Sequence, residues 1–260
     1  MNDPELYEKV GNILDDGVEA ILKKYLVSFN GSERKILDIG SGPGSFTYKS
    51  LYLNLEDKID EMVGIDQSHN MVTHSNKYYA NNKLSFRQLN IEANDIPAEF
   101  LGQFDYIFSF WALHFVKDYV KAFSNILKMM RPGGGALLVY PAHCMLYDVY
   151  NTIWNKPCWA KFISKEHLLN LPYQNCDRPE IRLKQFLKTI GLKPKVCEVR
   201  SFPVTLYFLV ACNPVFESIP KNLQNEFVED HLNELTPHKD HSNQMEYLFD
   251  YKIFVTFCQK

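Results

Sequence analysis

Short apolar runs alternate with amphipathic segments along most of the chain. Runs of this length that end at turn residues are typical of buried strands, whereas apolar residues three and four apart are typical of helices. The strands predicted in this way are 36–39, 62–66, 83–89, 104–110, 136–140, 195–202 and 246–258. The predicted helices are 3–26, 46–55, 68–80, 118–130, 178–190 and 219–234. Strands that alternate with helices predict an α/β fold with parallel strands and crossover helices.

Residues 141–174 depart from this alternation because they are unusually rich in aromatic and aliphatic side chains. We interpret them as a helical cap with its own core that also presents aromatic residues to an apolar ligand. Segment 206–212 is apolar and ambiguous between helix and strand. The predicted division is residues 1–140, a cap at 141–175, and a C-terminal part, 176–260, with a second cap helix near 214–235.

A glycine-rich loop follows the first predicted strand, in the sequence K-I-L-D-I-G-S-G-P-G-S from Lys35 to Ser45. Glycine permits positive φ angles in a tight reversal, and its missing Cβ lets the backbone approach a ligand closely. The dinucleotide fingerprint G-x-G-x-x-G would require glycine at 45, where this chain has serine. The pattern instead resembles the first motif of the class I methyltransferases, although a plain glycine turn is the simpler alternative.

An acidic residue ends the second predicted strand at Asp66, which follows Asp38 by 28 residues. That spacing accommodates one crossover helix and a parallel neighbouring strand. A carboxylate there can accept hydrogen bonds from both ribose hydroxyls of an adenosine ligand, as in dehydrogenases. Asn90 and Ile91 follow the third strand and are candidates for contacting the adenine edge and face. Asn90 as a simple turn residue is nearly as well supported.

The loop after the fourth strand reads W-A-L-H-F-V-K-D over 111–118. Ligands of open α/β sheets bind beyond the carboxyl ends of the strands, so this loop is expected at the mouth of the site. Trp111 and His114 are the candidates for positioning a substrate. A lone histidine is as often a packed residue, and both interpretations stay open for His114.

The amino-acid composition argues against several classes of function. A formal charge of −3 and no basic stripe argue against nucleic acid as the main partner. The six cysteines show neither C-x-x-C nor zinc spacing, which favours reduced thiols and no metal site. The chain start lacks a secretory pattern and no apolar run reaches the length of a membrane span. We therefore expect a cytoplasmic protein without a membrane span and leave homodimerisation open.

Several motifs together are similar to those of the insect juvenile hormone acid O-methyltransferases. They are D-P-E-L-Y at the start, L-D-I-G-S-G-P-G-S (37–45), V-G-I-D-Q-S (63–68) with M-V at 71–72, F-D-Y-I-F-S-F-W-A-L-H-F-V (104–116), D-V-Y at 148–150, and N-P-V-F-E-S-I-P (213–220). The R-P-G-G that follows the helix after the fourth strand resembles small-molecule methyltransferases more generally. The resemblance implies a doubly wound, Rossmann-like sheet of seven mostly parallel strands with the last one antiparallel. It also implies S-adenosylmethionine as cofactor, S-adenosylhomocysteine as product, and methyl transfer to the carboxylate of a farnesoid or fatty acid.

Site residues follow from the loops and from this resemblance. The expected cofactor contacts are Asp38, Gly40, Ser41, Gly42, Gly44, Asp66, Gln67, Asn90, Ile91, Ser109 and Phe110. The expected substrate contacts are Leu14, Trp111, His114, Phe115, Tyr147, Tyr150 and Trp154.

Two positions depart from the family pattern. The resemblance places a glutamine at position 14 and a tryptophan at 115, as donors to the substrate carboxylate, but this chain has Leu14 and Phe115. Neither side chain can donate a hydrogen bond. A divergent paralogue that binds cofactor and an apolar ligand but methylates little is therefore the second hypothesis. A nicotinamide-linked enzyme is the third, and Ser45 argues against it.

Overall fold

The computed structural model describes residues 4–26, 35–164, 171–201, 213, 215–235, 238–239, 245–246 and 251–260, without several side chains of the first helix. Seven strands form one sheet, which from one edge to the other consists of residues 84–88, 61–66, 35–39, 104–110, 130–144, 251–259 and 193–201. The first five strands along the chain run parallel, whereas strand 251–259 is antiparallel to both of its neighbours. The predicted fold class is confirmed.

Strand positions follow the apolar runs closely. They are β1 Lys35–Ile39, β2 Glu61–Asp66, β3 Leu84–Gln88, β4 Phe104–Phe110, β5 Met130–Cys144, β6 Lys193–Ser201, β7 His238–Lys239, β8 Met245–Glu246 and β9 Tyr251–Gln259. β7 and β8 pair only with each other and lie outside the main sheet.

The described helices are α1 Pro4–Leu26, α2 Leu53–Leu55, α3 His69–Tyr78, α4 Tyr119–Met129, α5 Met145–Trp154, α6 Pro157–Ala160, α7 Pro179–Ile190 and α8 Gln224–Asn233. Side-chain N-caps fix the first turns of α3 and α4. Ser68 accepts from the Met71 backbone N–H at 3.4 Å, and Asp118 accepts from that of Lys121 at 2.9 Å. Both caps hold helices that begin at the carboxyl edge of the sheet.

Two hydrophobic clusters cover the two faces of the sheet. One contains residues of α1, α3, α5 and α8, and the other contains residues of α4 and α7. The central parallel strands β1, β2 and β4 are largely buried, which explains why they read as mostly apolar runs, whereas the edge strand β3 ends in the exposed residues Arg87 and Gln88. This arrangement leaves the carboxyl edge, with its loops, as the place where polar groups converge.

Four predicted elements differ in detail. The helix expected over 219–234 begins only at Gln224, after the 3₁₀ turn Lys221–Leu223. Residues Thr47–Tyr52 form a π-helical segment ahead of α2, in place of the regular helix expected over 46–55. β5 is longer than 136–140, because Met130 pairs with Phe104 and the register shifts before Gly135. The last strand was expected to begin at 246, but Glu246 belongs to β8 and β9 begins at Tyr251. Segment 206–212 lies outside the described residues.

The expected cap contains the helices α5, α6 and α8. A hydrogen bond and an ion pair link α6, and the residue before it, to α8 and the residue after it. The Trp159 indole N–H donates to the Asp230 carboxylate at 2.7 Å, and Lys156 lies 3.3 Å from Glu234. His231 is buried and its Nδ1 lies 2.6 Å from the Phe227 carbonyl. The buried side chains of the cap helices belong to the hydrophobic cluster that also contains α1 and α3, so a core of the cap's own stays a prediction. The boundaries of the three predicted parts stay predictions.

Candidate active site

The glycine loop turns sharply between β1 and the π-helical segment. Gly40, Gly42 and Gly44 have φ angles of +74°, +53° and +91°, which side chains other than glycine rarely adopt. A Cβ built on Gly40 would lie 2.1 Å from the Ala112 Cβ, and one on Gly44 would lie 2.6 Å from the Ser75 Cβ. Gly40 and Gly44 are therefore required by neighbouring atoms as well as by the turn, whereas Gly42 is required by its backbone conformation alone.

Asp66 anchors this loop from the end of β2. Its carboxylate accepts from the Gly42 backbone N–H at 3.0 Å and from the Ser68 N–H at 2.8 Å. Burial raises its pKa, and these two hydrogen bonds oppose the rise. Each carboxylate oxygen has a second lone pair, so Asp66 can accept further bonds from a ligand beside the loop.

Asp38 lies deeper, below the glycine loop. Its side chain is 3% exposed and accepts a hydrogen bond of 2.6 Å from the Thr47 hydroxyl. Burial raises the pKa of Asp38 to about 7, the Thr47 bond opposes this rise, and the charge of Asp66 adds to it. Asp38 is thus a buried acid that titrates near neutrality and supports the loop from beneath.

Replacing Asp38 by asparagine is expected to change how stability depends on pH. In the unfolded chain the carboxyl loses its proton near pH 4, whereas the folded protein keeps it until about pH 7. Its contribution to stability is therefore present below about pH 4 and is lost as the pH rises to 7. Asparagine keeps an acceptor for Thr47 without the charge, so D38N should be more stable than wild type at pH 8, by about 1–3 kcal/mol. Denaturant unfolding at pH 4.5 and pH 8 measures this difference, and an equal difference at both values would contradict it.

Three loops meet at the carboxyl edge of the sheet. Gly40 lies against Ala112 of the β4–α4 loop, as the close approach of their atoms shows. The Glu92 carboxylate, on the loop after β3, accepts from the backbone N–H groups of Lys117 and Asp118 at 3.0 and 2.6 Å. The loops after β1, β3 and β4 are therefore joined into one surface.

Trp111 and His114 occupy unusual environments in the β4–α4 loop. Trp111 has a φ of +55°, the single positive value among non-glycine residues in the described part of the chain. Such strain is typical of functional sites. Its indole lies 6.0 Å from the ring of Tyr251, and it packs against the cluster that contains the cap. The position of Trp111 is consistent with a residue that contacts a ligand between sheet and cap.

His114 is 8% exposed, and burial lowers its pKa to about 3. The imidazole is therefore neutral near pH 7 and can donate from one ring nitrogen. Its Nδ1 has no hydrogen-bond partner among the described residues, and its ring lies 3.9 Å from that of Phe115. A buried polar atom of this kind is costly unless something pairs with it.

The aromatic residues expected from the cap line up along α5. Tyr150 stacks on Trp154 at a centroid distance of 5.2 Å, and Tyr147 meets Tyr150 at 5.9 Å. Tyr150 also meets His231 of α8 at 5.5 Å. Both Tyr150 and Trp154 are buried in the hydrophobic cluster that also contains residues of α1 and α3. Their expected contact with a substrate stays a prediction.

The remaining predicted cofactor residues fall into two groups. Ser109 and Phe110 are buried: the Ser109 hydroxyl donates to the Ile39 carbonyl at 2.9 Å, and Phe110 packs on Phe46. Gln67 and Asn90 are exposed at the carboxyl edge. The Asn90 side chain accepts from the Glu92 N–H at 2.9 Å, so it stabilises its own turn.

Ile91 and Ser41 are both buried, and the Ser41 backbone N–H donates to the Ile65 carbonyl at 3.0 Å. Leu14 belongs to α1, but its side chain is outside the described ones.

Sequence reasoning missed several supporting residues, namely Thr47, Glu92, Ala112 and Asn125. Asn125 of α4 donates to the carbonyls of Ile91 and Ala93, both at 2.9 Å, and so fixes the loop after β3. Thr47 and Glu92 act through contacts between segments distant in sequence, so no local pattern reveals them. Near these residues, the sequence itself indicates only the N-cap of α4 at Asp118.

Residues 37–138 match the family model described as a methyltransferase domain. This segment contains the glycine loop, Asp66 and the β4–α4 loop, and its strands lie in the seven-stranded sheet described above. This part of the chain is therefore similar to methyltransferase domains.

Two curated relatives extend the similarity beyond that domain. The juvenile hormone acid O-methyltransferase of Bombyx mori is 26% identical over 100% of this chain and 98% of its own length. The enzyme of the same name from Drosophila melanogaster is 26% identical over 100% of this chain and 93% of its own. Similarity over the full length includes the cap and the C-terminal part.

Among solved structures, phosphoethanolamine N-methyltransferase 2 of Haemonchus contortus, in complex with S-adenosyl-L-methionine, has a TM-score of 0.52 and 17% identity. The match covers 93% of this chain and 51% of that one. At this identity the likeness shows a shared methyltransferase fold.

Within the described part of the chain, no group of histidine, cysteine and acidic side chains is placed to hold a metal ion. No helix in the described ranges has the length and apolar character that crossing a bilayer requires. The polar residues described above, among them Asp66 and Glu92, lie together at the carboxyl edge of the sheet.

Proposed function

We propose that the chain is an S-adenosylmethionine-dependent O-methyltransferase that acts on the carboxylate of an apolar acid of the farnesoid or fatty class and yields a methyl ester. The observation that carries the cofactor part is Asp66 beside the glycine loop at the carboxyl edge. The similarity to the two insect enzymes over the whole chain supports the acceptor class.

The residues at the carboxyl edge fit this cofactor. The Gly40 and Gly44 backbones leave no room for side chains and bring the loop close to any ligand above it. The Asp66 carboxylate has acceptor capacity for ribose hydroxyls. Asp38, with a pKa of about 7, can provide negative charge beneath a cationic ligand. S-adenosylmethionine, when bound, supplies the electrophilic methyl group.

The acceptor needs no general base. A carboxylic acid has a reference pKa near 4 and is ionised at pH 7, so the protein has to orient its oxygen and remove its water shell. The neutral His114 imidazole can donate a hydrogen bond to such an oxygen, and Trp111 lies in the same loop. The aromatic cap would surround the apolar tail.

Leu14 and Phe115 favour a second candidate function, a cofactor-binding paralogue with little transferase activity. Neither side chain donates a hydrogen bond to a substrate carboxylate. In that case the donors of the loop, Trp111 and His114, would not be sufficient for turnover.

Methyl transfer to acids is the direct test. We expect purified protein with methyl-labelled S-adenosylmethionine to convert farnesoic, juvenile hormone or dodecanoic acid into labelled methyl esters, identified by mass spectrometry. The matched alcohols, which are not ionised at pH 7, should give no product. If S-adenosylhomocysteine binds by calorimetry while all three acids stay unmodified, the carboxyl O-methyltransferase proposal is wrong and the paralogue is favoured.

A further inference from the structure

The N-terminal helix α1 is attached to the rest of the fold at two places. Near its C-terminal end, Val18, Ile21 and Leu22 are buried at 0%, 5% and 2% exposure in the cluster that covers one face of the sheet. Near its N-terminal end, Glu8 contacts His74 in the middle of α3 and Tyr79, which follows the helix. The helical turns of 9–17 are thus held between two anchors.

The contact of Glu8 is a charge-assisted hydrogen bond. The Tyr79 hydroxyl donates to Glu8 Oε1 at 2.5 Å, and His74 Nε2 lies 3.4 Å from the same oxygen. Burial and the bond to Glu8 raise the pKa of Tyr79, so its hydroxyl remains a donor at physiological pH. Bonds of this type to an ionised acceptor are stronger than neutral ones.

Tyr79 also touches the glycine loop. A Cβ built on Gly44 would lie 3.1 Å from Tyr79 Cδ2, and the Tyr79 ring lies 5.6 Å from that of Tyr48 just beyond the loop. One side chain therefore contacts the cofactor loop through its ring and α1 through its hydroxyl. The position of α1 and the conformation of the loop are coupled through this tyrosine.

We propose that Glu8 and Tyr79 are positioning residues that hold α1 against the glycine loop, so that the helix retains bound cofactor and slows its release. The retention part rests on the proposed function, since it takes S-adenosylmethionine and its product as the ligands. The attachment itself depends only on the contacts described. Neither residue touches the reacting atoms, and both act through the placement of residues 9–17.

Hydrogen exchange of the full chain without ligand tests the attachment. In Tyr79→Phe and Glu8→Ala, amides of 5–17 should exchange about 10-fold faster than in wild type, because a hydrogen bond to a charged group is lost. Glu8→Gln keeps a carbonyl acceptor and should restore most of the protection. The matched control is Tyr78→Phe, since Tyr78 is 57% exposed and adjacent. Equal exchange over 5–17 in Y79F and Y78F would overturn the proposal.

Release of S-adenosylhomocysteine tests the retention. Y79F and E8A should each release it about 10-fold faster, and the double variant should be no faster than either one, because both remove the same bond. The KM for S-adenosylmethionine should rise while kcat does not fall, which general destabilisation would not produce. Release that is unchanged in both variants overturns the retention. Inactivity towards every acid bears only on the proposed acceptor, because hydrogen exchange and the release of S-adenosylhomocysteine are both measured without one.

Discussion

Replacing Gly40 by alanine is expected to lower the affinity for S-adenosylhomocysteine by at least about 100-fold. The new Cβ would lie 2.1 Å from the Ala112 Cβ, and the backbone at φ +74° disfavours any side chain. Ala112 belongs to the β4–α4 loop, so relief of this overlap must separate the two loops that form the site. Isothermal calorimetry with S-adenosylhomocysteine measures the loss.

Two variants control for a general loss of stability in G40A. Gly133 lies at the opposite end of the sheet, has a φ of +81°, and has no atom within 4 Å of its built Cβ. G133A therefore places a side chain on a backbone with positive φ, without an overlap, and should bind S-adenosylhomocysteine as wild type does. Adding A112G to G40A removes one of the two overlapping methyl groups and should recover at least about 10-fold in affinity. If G40A binds as tightly as wild type, the glycine loop is not the cofactor site.

The double variant L14Q/F115W is expected to raise kcat/KM for apolar acids by about 10- to 100-fold. Glutamine and tryptophan each restore a donor at a position where the related insect enzymes are expected to hold the substrate carboxylate, and a bond to a charged group contributes about 1.5–3 kcal/mol. The affinity for S-adenosylhomocysteine should not change. Initial rates with labelled S-adenosylmethionine and farnesoic acid, set against wild type, measure the gain.

A matched leucine-to-glutamine change at Leu53, which is 47% exposed, should leave the rates as they are. A gain from L14Q/F115W in rate but not in cofactor affinity would assign both positions to acceptor binding. No gain in any acid would show that Leu14 and Phe115 do not limit activity, and it would remove the main argument for a cofactor-binding paralogue.

The first four strands and the centre of β5 could be predicted. β1, β2 and β4 are short and mostly apolar runs that are largely buried, whereas apolar and polar residues alternate at the start of β3. The same pattern predicts where β1 and β2 end, and therefore where the glycine loop and Asp66 lie. The beginning of β5 could not be predicted, since Pro132 and Gly133 normally end a segment. Here the pairing of Met130 with Phe104 across the sheet outweighs those local signals.

Contacts between loops were beyond the reach of local patterns. Glu92 binds the N–H groups of Lys117 and Asp118, and Tyr79 binds Glu8 across a separation of 71 residues. Only the folded chain brings such residues together, because strand order and loop length decide which loops meet. The pKa of Asp38 likewise depends on burial, which the tertiary structure determines.

A crystal structure of the protein with S-adenosylhomocysteine tests the central claim most directly. We predict that both ribose hydroxyls lie within about 3.2 Å of the Asp66 carboxylate oxygens, and that the ligand crosses the glycine loop at Gly40 and Gly42. Adenosine bound away from Asp66, or a glycine loop that does not contact the ligand, would contradict the account.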